Sequence, residues 1–277
     1  MSEAAAGTAV SQGSERIQAA FTEARSEGRA ALMPYMMGGF PDPGTSVLIA
    51  NAYVDSGADL IELGVPYSDP LADGPVIHDA ATTALEAGVK FEHVLETCRA
   101  VSERIPVVLM AYTNMVLGSE GPGAFAKRAV EAGASGVIVP DLPLGEDEPT
   151  RDLLNEAGLA VVPLIAPTTL GERREEICRI AAGFVYVVSS VGTTGERQEV
   201  PAHLQELVGD VTEMAEVPVA VGFGIGTPEQ AAEVGRISDG VIIGSKLVRL
   251  VADAAGPEEA VAAVSQFLGD TRAAMSQ

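Results

Sequence analysis

The stretch from Leu60 to Pro75 contains the residues best suited to chemistry. It opens as an apolar run, Leu60-Ile61-Glu62-Leu63-Gly64-Val65, and then breaks into a loop carrying Pro66, Pro70 and Pro75 and two further acids, Asp69 and Asp73. A carboxylate among Leu60, Ile61, Leu63 and Val65 is costly to desolvate, and holding its proton relieves that cost. At the C-terminal end of a strand, a carboxyl group in this state suits proton transfer. The plainer reading is that Glu62 only accepts backbone hydrogen bonds and that the loop acids only form turns.

A second candidate lies late in the chain. The run Gly222-Phe223-Gly224-Ile225-Gly226-Thr227-Pro228-Glu229-Gln230 follows an apolar stretch. Thr227 is a good N-cap, Pro228 suits the first helical position and Gln230 completes a capping box. Shortly after comes Gly244-Ser245-Lys246, where a short helix can start. Glycine-rich turns opening onto helix N-termini bind phosphate through backbone amides. A dinucleotide fingerprint does not fit, because the spacing is G-x-G-x-G and Asp239 precedes its strand.

Other chemistries drop out by elimination. The three lysines, Lys90, Lys127 and Lys246, are not placed within a strand facing a carbonyl substrate, which disfavours Schiff-base chemistry. His78, His93 and His203 fall in helical or loop segments away from strand ends, so a converging metal site is not expected. There is no Gly-x-Ser-x-Gly elbow and no P-loop. Tyr186, in Phe184-Val-Tyr-Val-Val-Ser-Ser190, lies on a strand and suits an inward position, although a core aromatic fits equally well. The following Val191-Gly192-Thr193-Thr194-Gly195-Glu196-Arg197 has the composition of a lid. What remains is cofactor-free acid–base chemistry on a phosphorylated substrate, either isomerisation or a cleavage in which the substrate is its own electron sink.

These residues must be positioned by a scaffold of 277 residues, 47% of them apolar. Strands are expected near 31–37, 59–64, 106–111, 136–140, 160–164, 184–189, 217–222 and 239–243. Helical patterns occupy 44–56, 91–104, 123–132, 149–157, 171–182, 202–214 and 228–236, with a trailing helix over 257–269. A leading helix capped by Ser14 places Ile17, Phe21 and Ala24 on one face. Met1 to Gly13 reads as a loose tail and 14–277 as one domain. The regular spacing favours a single (β/α)8 TIM barrel with an extra N-terminal helix over a doubly wound sheet. In such a barrel Glu62 and Asp73 lie at the C-terminal rim, where active sites form.

The net charge of −22, from 17 basic and 39 acidic residues, excludes a nucleic-acid-binding stripe and requires any phosphate to be held locally. Cys98 and Cys178 form no CxxC pair and read as reduced, partly buried thiols. No long apolar run or leader pattern appears, so a soluble cytoplasmic protein without a membrane contact is expected.

The chain closely resembles the tryptophan synthase alpha subunits over Ile17 to Leu268. The resemblance rests on Glu62-Leu-Gly-Val-Pro-Tyr-Ser-Asp-Pro-Leu-Ala-Asp73-Gly-Pro, supported by Leu109-Met-Ala-Tyr112-Thr-Asn114, Val139-Pro-Asp141-Leu-Pro143, Thr194-Gly195, Gly222-Phe223-Gly224-Ile225 and Gly244-Ser245. It implies retro-aldol cleavage of indole-3-glycerol phosphate to indole and glyceraldehyde 3-phosphate, with no metal or cofactor. It also implies that Glu62 is the acid–base residue and that Asp73 accepts from the indole N–H. Tyr186 would assist at the reacting hydroxyl, and Thr194 would order Asp73 on lid closure. Gly195, Phe223, Gly224, Gly244 and Ser245 would hold the phosphate, and Tyr35, Met110, Tyr112 and Ile138 would line the indole pocket. A beta-subunit partner in an alpha2-beta2 complex is implied, with Pro66, Asp69, Asn114 and Pro143 toward the interface. Two departures stand out: Ser190 occupies a position where many members carry arginine, and Tyr35 one where phenylalanine is more frequent. The competing readings are a stand-alone lyase of the same chemistry, a silent barrel that activates a partner, and a sugar-phosphate isomerase.

Overall fold

The computed structural model describes residues 11–188, 202–222 and 224–276. Along the chain it contains α1 (Gln12–Ser26), β1 (Ala31–Met37), α2 (Pro43–Asp55), β2 (Ile61–Gly64), α3 (Pro75–Glu86), α4 (Phe91–Val101) and β3 (Val107–Met110). Next come α5 (Thr113–Leu117), α6 (Pro122–Glu131), β4 (Gly136–Ile138), α7 (Glu148–Glu156), β5 (Ala160–Val161), β6 (Leu164–Ile165), α8 (Glu172–Ile180) and β7 (Val185–Val188). The remainder is α9 (Ala202–Met214), β8 (Val219–Gly222), α10 (Pro228–Gly235), β9 (Gly240–Ile243), α11 (Ser245–Asp253) and α12 (Pro257–Met275).

The strands form one parallel sheet in the order β5-β4-β3-β2-β1-β9-β8-β7-β6. Its two edges, β5 and β6, are consecutive in the chain and separated only by Val162 and Pro163. The Val162 amide donates to the Val137 carbonyl at 2.9 Å, and the Tyr186 amide donates to the Pro163 carbonyl at 3.0 Å. β5 and β6 are therefore two halves of one barrel strand, interrupted where Pro163 has no N–H to give. The nine segments make an eight-stranded closed barrel, as the spacing of apolar runs predicts.

Alternate residues of each strand face the barrel interior. Ala31 and Met33 of β1, Val108 of β3, Ile138 of β4, Ala160 of β5, Ala220 of β8 and Ile242 of β9 form one buried cluster with Leu60, Val162 and Phe184. Ile17, Phe21 and Ala24 of α1 join that cluster, so the leading helix plugs the barrel bottom with the face the periodicity selects. The Phe21 and Phe184 rings lie 5.7 Å apart. The residues between form the second apolar layer under the outer helices. Gly57 and Gly133, just past the ends of α2 and α6, adopt φ +87° and +85°.

Three expectations need correction. The helix starts at Gln12 with Ser11 as its N-cap, so residues 11–13 do not belong to a loose tail. Ser14, expected as the cap, is buried and accepts from the Gly183 amide at 2.9 Å. Gly13 lies so close to the barrel bottom that a Cβ there would come within 1.8 Å of the Ser135 carbonyl oxygen. Residues 1–10 of the predicted tail lie outside the described residues. Finally, α3 and the short α5 were not anticipated. α3 starts from Gly74 without a side-chain cap, but its buried Ile77, Ala80, Ala81 and Ala84 have the i, i+3, i+4, i+7 helix spacing. Cys98 and Cys178 are buried free thiols. Among the described residues, no helix is long and apolar enough to cross a membrane.

The close contact at Gly13 predicts that Gly13→Ala destabilises the fold by about 1–3 kcal/mol, as overpacking does. Exposed Gln12→Ala should change stability by roughly 0.5 kcal/mol at most. Denaturant melts of the two variants check this, and equal midpoints would restore the tail reading.

Candidate active site

The register of β1, β2 and β3 sets Tyr35 beside Glu62 and Glu62 beside Val108, all on the inward-facing side. Glu62 is 2% exposed. Its Oε2 is buried and has no hydrogen-bond partner among the described residues. Burial, followed by the nearby negative charge of Asp73, pushes its pKa up to about 8. The carboxyl group is thus held protonated at neutral pH, as the sequence suggests for an acid placed among aliphatic neighbours.

Asp73 lies on the loop that runs from Val65 to Gly74, between β2 and α3. Burial raises its pKa to about 6, while a hydrogen bond from Tyr112 and the charge of His78 oppose the rise. Tyr112 is buried just beyond β3. Its hydroxyl also accepts the Ala72 amide at 3.1 Å, and its ring packs 5.3 Å from that of Tyr67. Expected as pocket lining, Tyr112 also pins the acidic loop to the end of β3. Its own segment is held by Asp141, whose Oδ1 accepts from the Thr113 amide at 2.7 Å and the Thr113 hydroxyl at 2.9 Å. The chain of contacts therefore runs from the end of β4 through β3 to Asp73.

Sequence reasoning did not assign this role to Asp141, although the residue stands in a quoted motif. It also placed His78 away from the site. In the structure His78 lies in the first turn of α3, whose start is set by Gly74 and Pro75, and its charge reaches Asp73.

Tyr186 lies on β7 opposite Leu164 and Ala220, and points inward. A Cβ on Gly222 would fall 2.5 Å from its hydroxyl oxygen, so this glycine makes room for the ring. Gly64 plays the same part for Tyr35, with a virtual Cβ 2.3 Å from that hydroxyl. Burial pushes both phenols well above their ordinary range, and the charges of Glu62 and Asp73 add to the effect. The two carboxyls and two tyrosines thus share one electrostatic environment. Met110 is half-buried against the interior cluster, whereas Ile138 is fully buried within it.

At the phosphate end, Thr227 caps α10 and Gln230 completes the capping box as predicted. Gln230 Oε1 accepts the Gly226 amide at 2.8 Å and the Thr227 amide at 3.2 Å. That helix start is consequently occupied by its own side chains. α11 begins at Gly244-Ser245 with no side-chain cap; the Leu247 amide donates to the Gly244 carbonyl at 2.9 Å, which leaves the Ser245 and Lys246 amides without an acceptor from the helix's own turns. Lys246 does not aim its amine at this turn, since Nζ sits 5.8 Å from the Phe267 ring centre. Gly224, in the turn before α10, adopts φ +75°. Ser190, Thr194, Gly195 and Phe223 lie outside the described residues.

Of the interface positions, Asp69, Asn114 and Pro143 are exposed, but Pro66 is buried within the chain itself. Pro66 can shape the loop but offers little surface to a partner. Leu71, in the same loop, is 80% exposed.

The raised pKa of Glu62 carries a stability consequence. Its folded value near 8 exceeds the ordinary 4.5, so the fold binds this proton more tightly than the unfolded chain does. The associated stability is complete below the unfolded pKa and is lost as pH rises toward the folded one. Glu62→Gln should lose less stability than the wild type between those pH values, by on the order of a few kcal/mol. Thermal melts across that range check it; parallel curves would place a charged Glu62 in the fold.

Known proteins carry the same pattern. The model of the tryptophan synthase alpha chain family matches residues 21–276. The chain is 46% identical over 238 residues to the tryptophan synthase alpha chain of Carboxydothermus hydrogenoformans, covering 85% of this chain and 89% of that one. It is 41% identical over 263 residues to that of Thermosynechococcus vestitus, covering 94% and 97%. A solved structure of Mycobacterium tuberculosis tryptophan synthase superposes with a TM-score of 0.87 at 36% identity, covering 97% of this chain and all of that one. The chain belongs to the tryptophan synthase alpha chain family.

Proposed function

We propose that Glu62, Asp73 and Tyr186 carry out the retro-aldol cleavage of indole-3-glycerol phosphate at the barrel's C-terminal rim. Family membership makes the chain a carbon–carbon lyase of tryptophan biosynthesis. The observation that carries the residue assignment is the buried, unpartnered carboxyl of Glu62 beside Asp73.

Protonated Glu62 donates to the indole C3, and the ring becomes iminium-like. Asp73, ionised, accepts a hydrogen bond from the indole N–H and stabilises that positive charge. Glu62, now a carboxylate, removes the proton of the glycerol hydroxyl next to the bond that breaks. As the aldehyde forms, the electron pair of the C–C bond returns to the ring and restores neutral indole. Glu62 ends the cycle protonated, so one carboxyl serves as acid and then as base. Tyr186 donates a hydrogen bond at the reacting hydroxyl. Tyr35, Met110 and Tyr112 flank the indole, with Ile138 closing the floor. Gly224, Gly244 and Ser245 hold the phosphate through main-chain amides, with Gly195 and Phe223 completing the set and Thr194 acting on Asp73.

The partner is a tryptophan synthase beta subunit, in an alpha2-beta2 assembly. The exposed Asp69 and Leu71 after β2, Asn114 after β3 and Pro143 after β4 support this, since they follow three adjacent strands.

Turnover needs Asp73 ionised and Glu62 protonated, so kcat/KM should rise through about pH 6 and fall through about pH 8. His78→Gln removes a positive charge that favours ionised Asp73, so the acid limb should move to higher pH while the alkaline limb stays. Unmoved limbs would detach His78 from the site. Indole release by wild type and Glu62→Gln, each with and without a beta subunit, tests the assignment most simply. Loss of the acid–base group should lower kcat by about 10²–10⁴-fold with substrate binding largely kept. A beta subunit should raise the wild-type rate; no rise would favour a stand-alone lyase, and near-normal turnover by Glu62→Gln would remove it from the mechanism.

A further inference from the structure

A cavity of about 430 Å³ lies outside the barrel wall, between α7 and α8 and behind the ends of β4 and β5. Leu142, Pro163, Leu170 and Ile177 supply apolar wall, Thr168 and Thr169 lie beside them, and two arginines, Arg151 and Arg173, enter it from the two helices. In a chain of net charge −22, this cavity is lined by two arginines and no carboxylate.

Both are weakly paired with carboxylates. Arg25, Arg29, Arg104 and Arg174 each close on a carboxylate at 2.5–2.6 Å. Arg151 comes no nearer than 3.8 Å to Glu148, although its side chain is only 12% exposed. Arg173 stands 3.5 Å from Glu176 and donates its other nitrogen to the Leu144 carbonyl. Burial disfavours the Arg151 cation, and the like charge of Arg173 adds to that, against partial relief from Glu148 and Asp152. An anion between the two groups would satisfy both by charge-assisted hydrogen bonds. Leu170, 66% exposed, stands at the mouth, where a hydrocarbon body would cover it. The volume matches a small ligand.

We propose that this cavity is a second ligand site, separate from the barrel interior, which takes a small monocarboxylate with a branched or aromatic hydrocarbon body. The Pro163 carbonyl accepts the Tyr186 amide, so an occupant would touch the strand next to the one that carries Tyr186.

Calorimetric titration with 3-phenylpropionate and 4-methylpentanoate tests the site, with 3-phenylpropan-1-ol as the uncharged control. Saturable one-to-one binding of at least one acid is expected, weakened about tenfold or more in Arg151→Gln and in Arg173→Gln. The alcohol should bind at least about tenfold more weakly, and Glu62→Gln should leave acid binding unchanged. Arg151→Lys, which keeps charge but loses the fork, should fall between and serves if Arg151→Gln melts early. The proposal is overturned if neither acid binds saturably at millimolar concentration or both arginine variants bind as the wild type does. An alcohol that binds equally well, or weakening by Glu62→Gln, which would place the ligand in the barrel, overturns it too.

Discussion

The fold holds one carboxyl group in surroundings that cannot solvate its charge. Glu62 lies on a strand paired on both sides, inside a barrel whose lower layers are filled by aliphatic and aromatic side chains. With one oxygen unpartnered, the group holds its proton at neutral pH. A free carboxylate in water would be ionised and a poor acid. Here the packing of the barrel performs the tuning, and the plug of α1 at the bottom keeps water out from below.

The second acid is governed differently. Asp73 is on a loop, and its position depends on contacts reaching back through successive strand ends: Asp141 fixes Thr113, and Tyr112 beside it fixes Ala72 and Asp73. Asp73 is less deeply buried and has a donor and a cation near it, so it ionises about two pH units below Glu62. Two carboxyls whose environments separate their pKa values can take different roles in one reaction. The phosphate end shows the same economy. α10 caps itself with Thr227 and Gln230, which leaves the uncapped start of α11 as the helix end open to an anion.

Much of this was legible in the sequence because local rules and global fold agree. Apolar runs alternating with helical patterns gave the strand positions to within one or two residues, and Ile17, Phe21 and Ala24 gave the buried face of α1. Glu62 stood out because a charge inside an aliphatic strand contradicts its surroundings. The misses share one physical cause, dependence on distant partners. Gly13 reads as a tail residue until the Ser135 carbonyl is set against it. α5 is five residues long and is capped by a side chain from beyond β4. Tyr112 and His78 have types that fit many roles, and only the folded loop brings them to Asp73. Pro66 looks like a surface loop residue until the barrel rim buries it.

The central claim is that Glu62 is uncharged at neutral pH. Carbon-13 NMR of protein labelled at the glutamate side-chain carboxyls measures this directly, with Glu62→Gln identifying the signal. One resonance, absent from the variant, should titrate with a midpoint near 8. If the missing resonance instead titrates near the ordinary glutamate value of 4.5, Glu62 is ionised at neutral pH and the acid role fails.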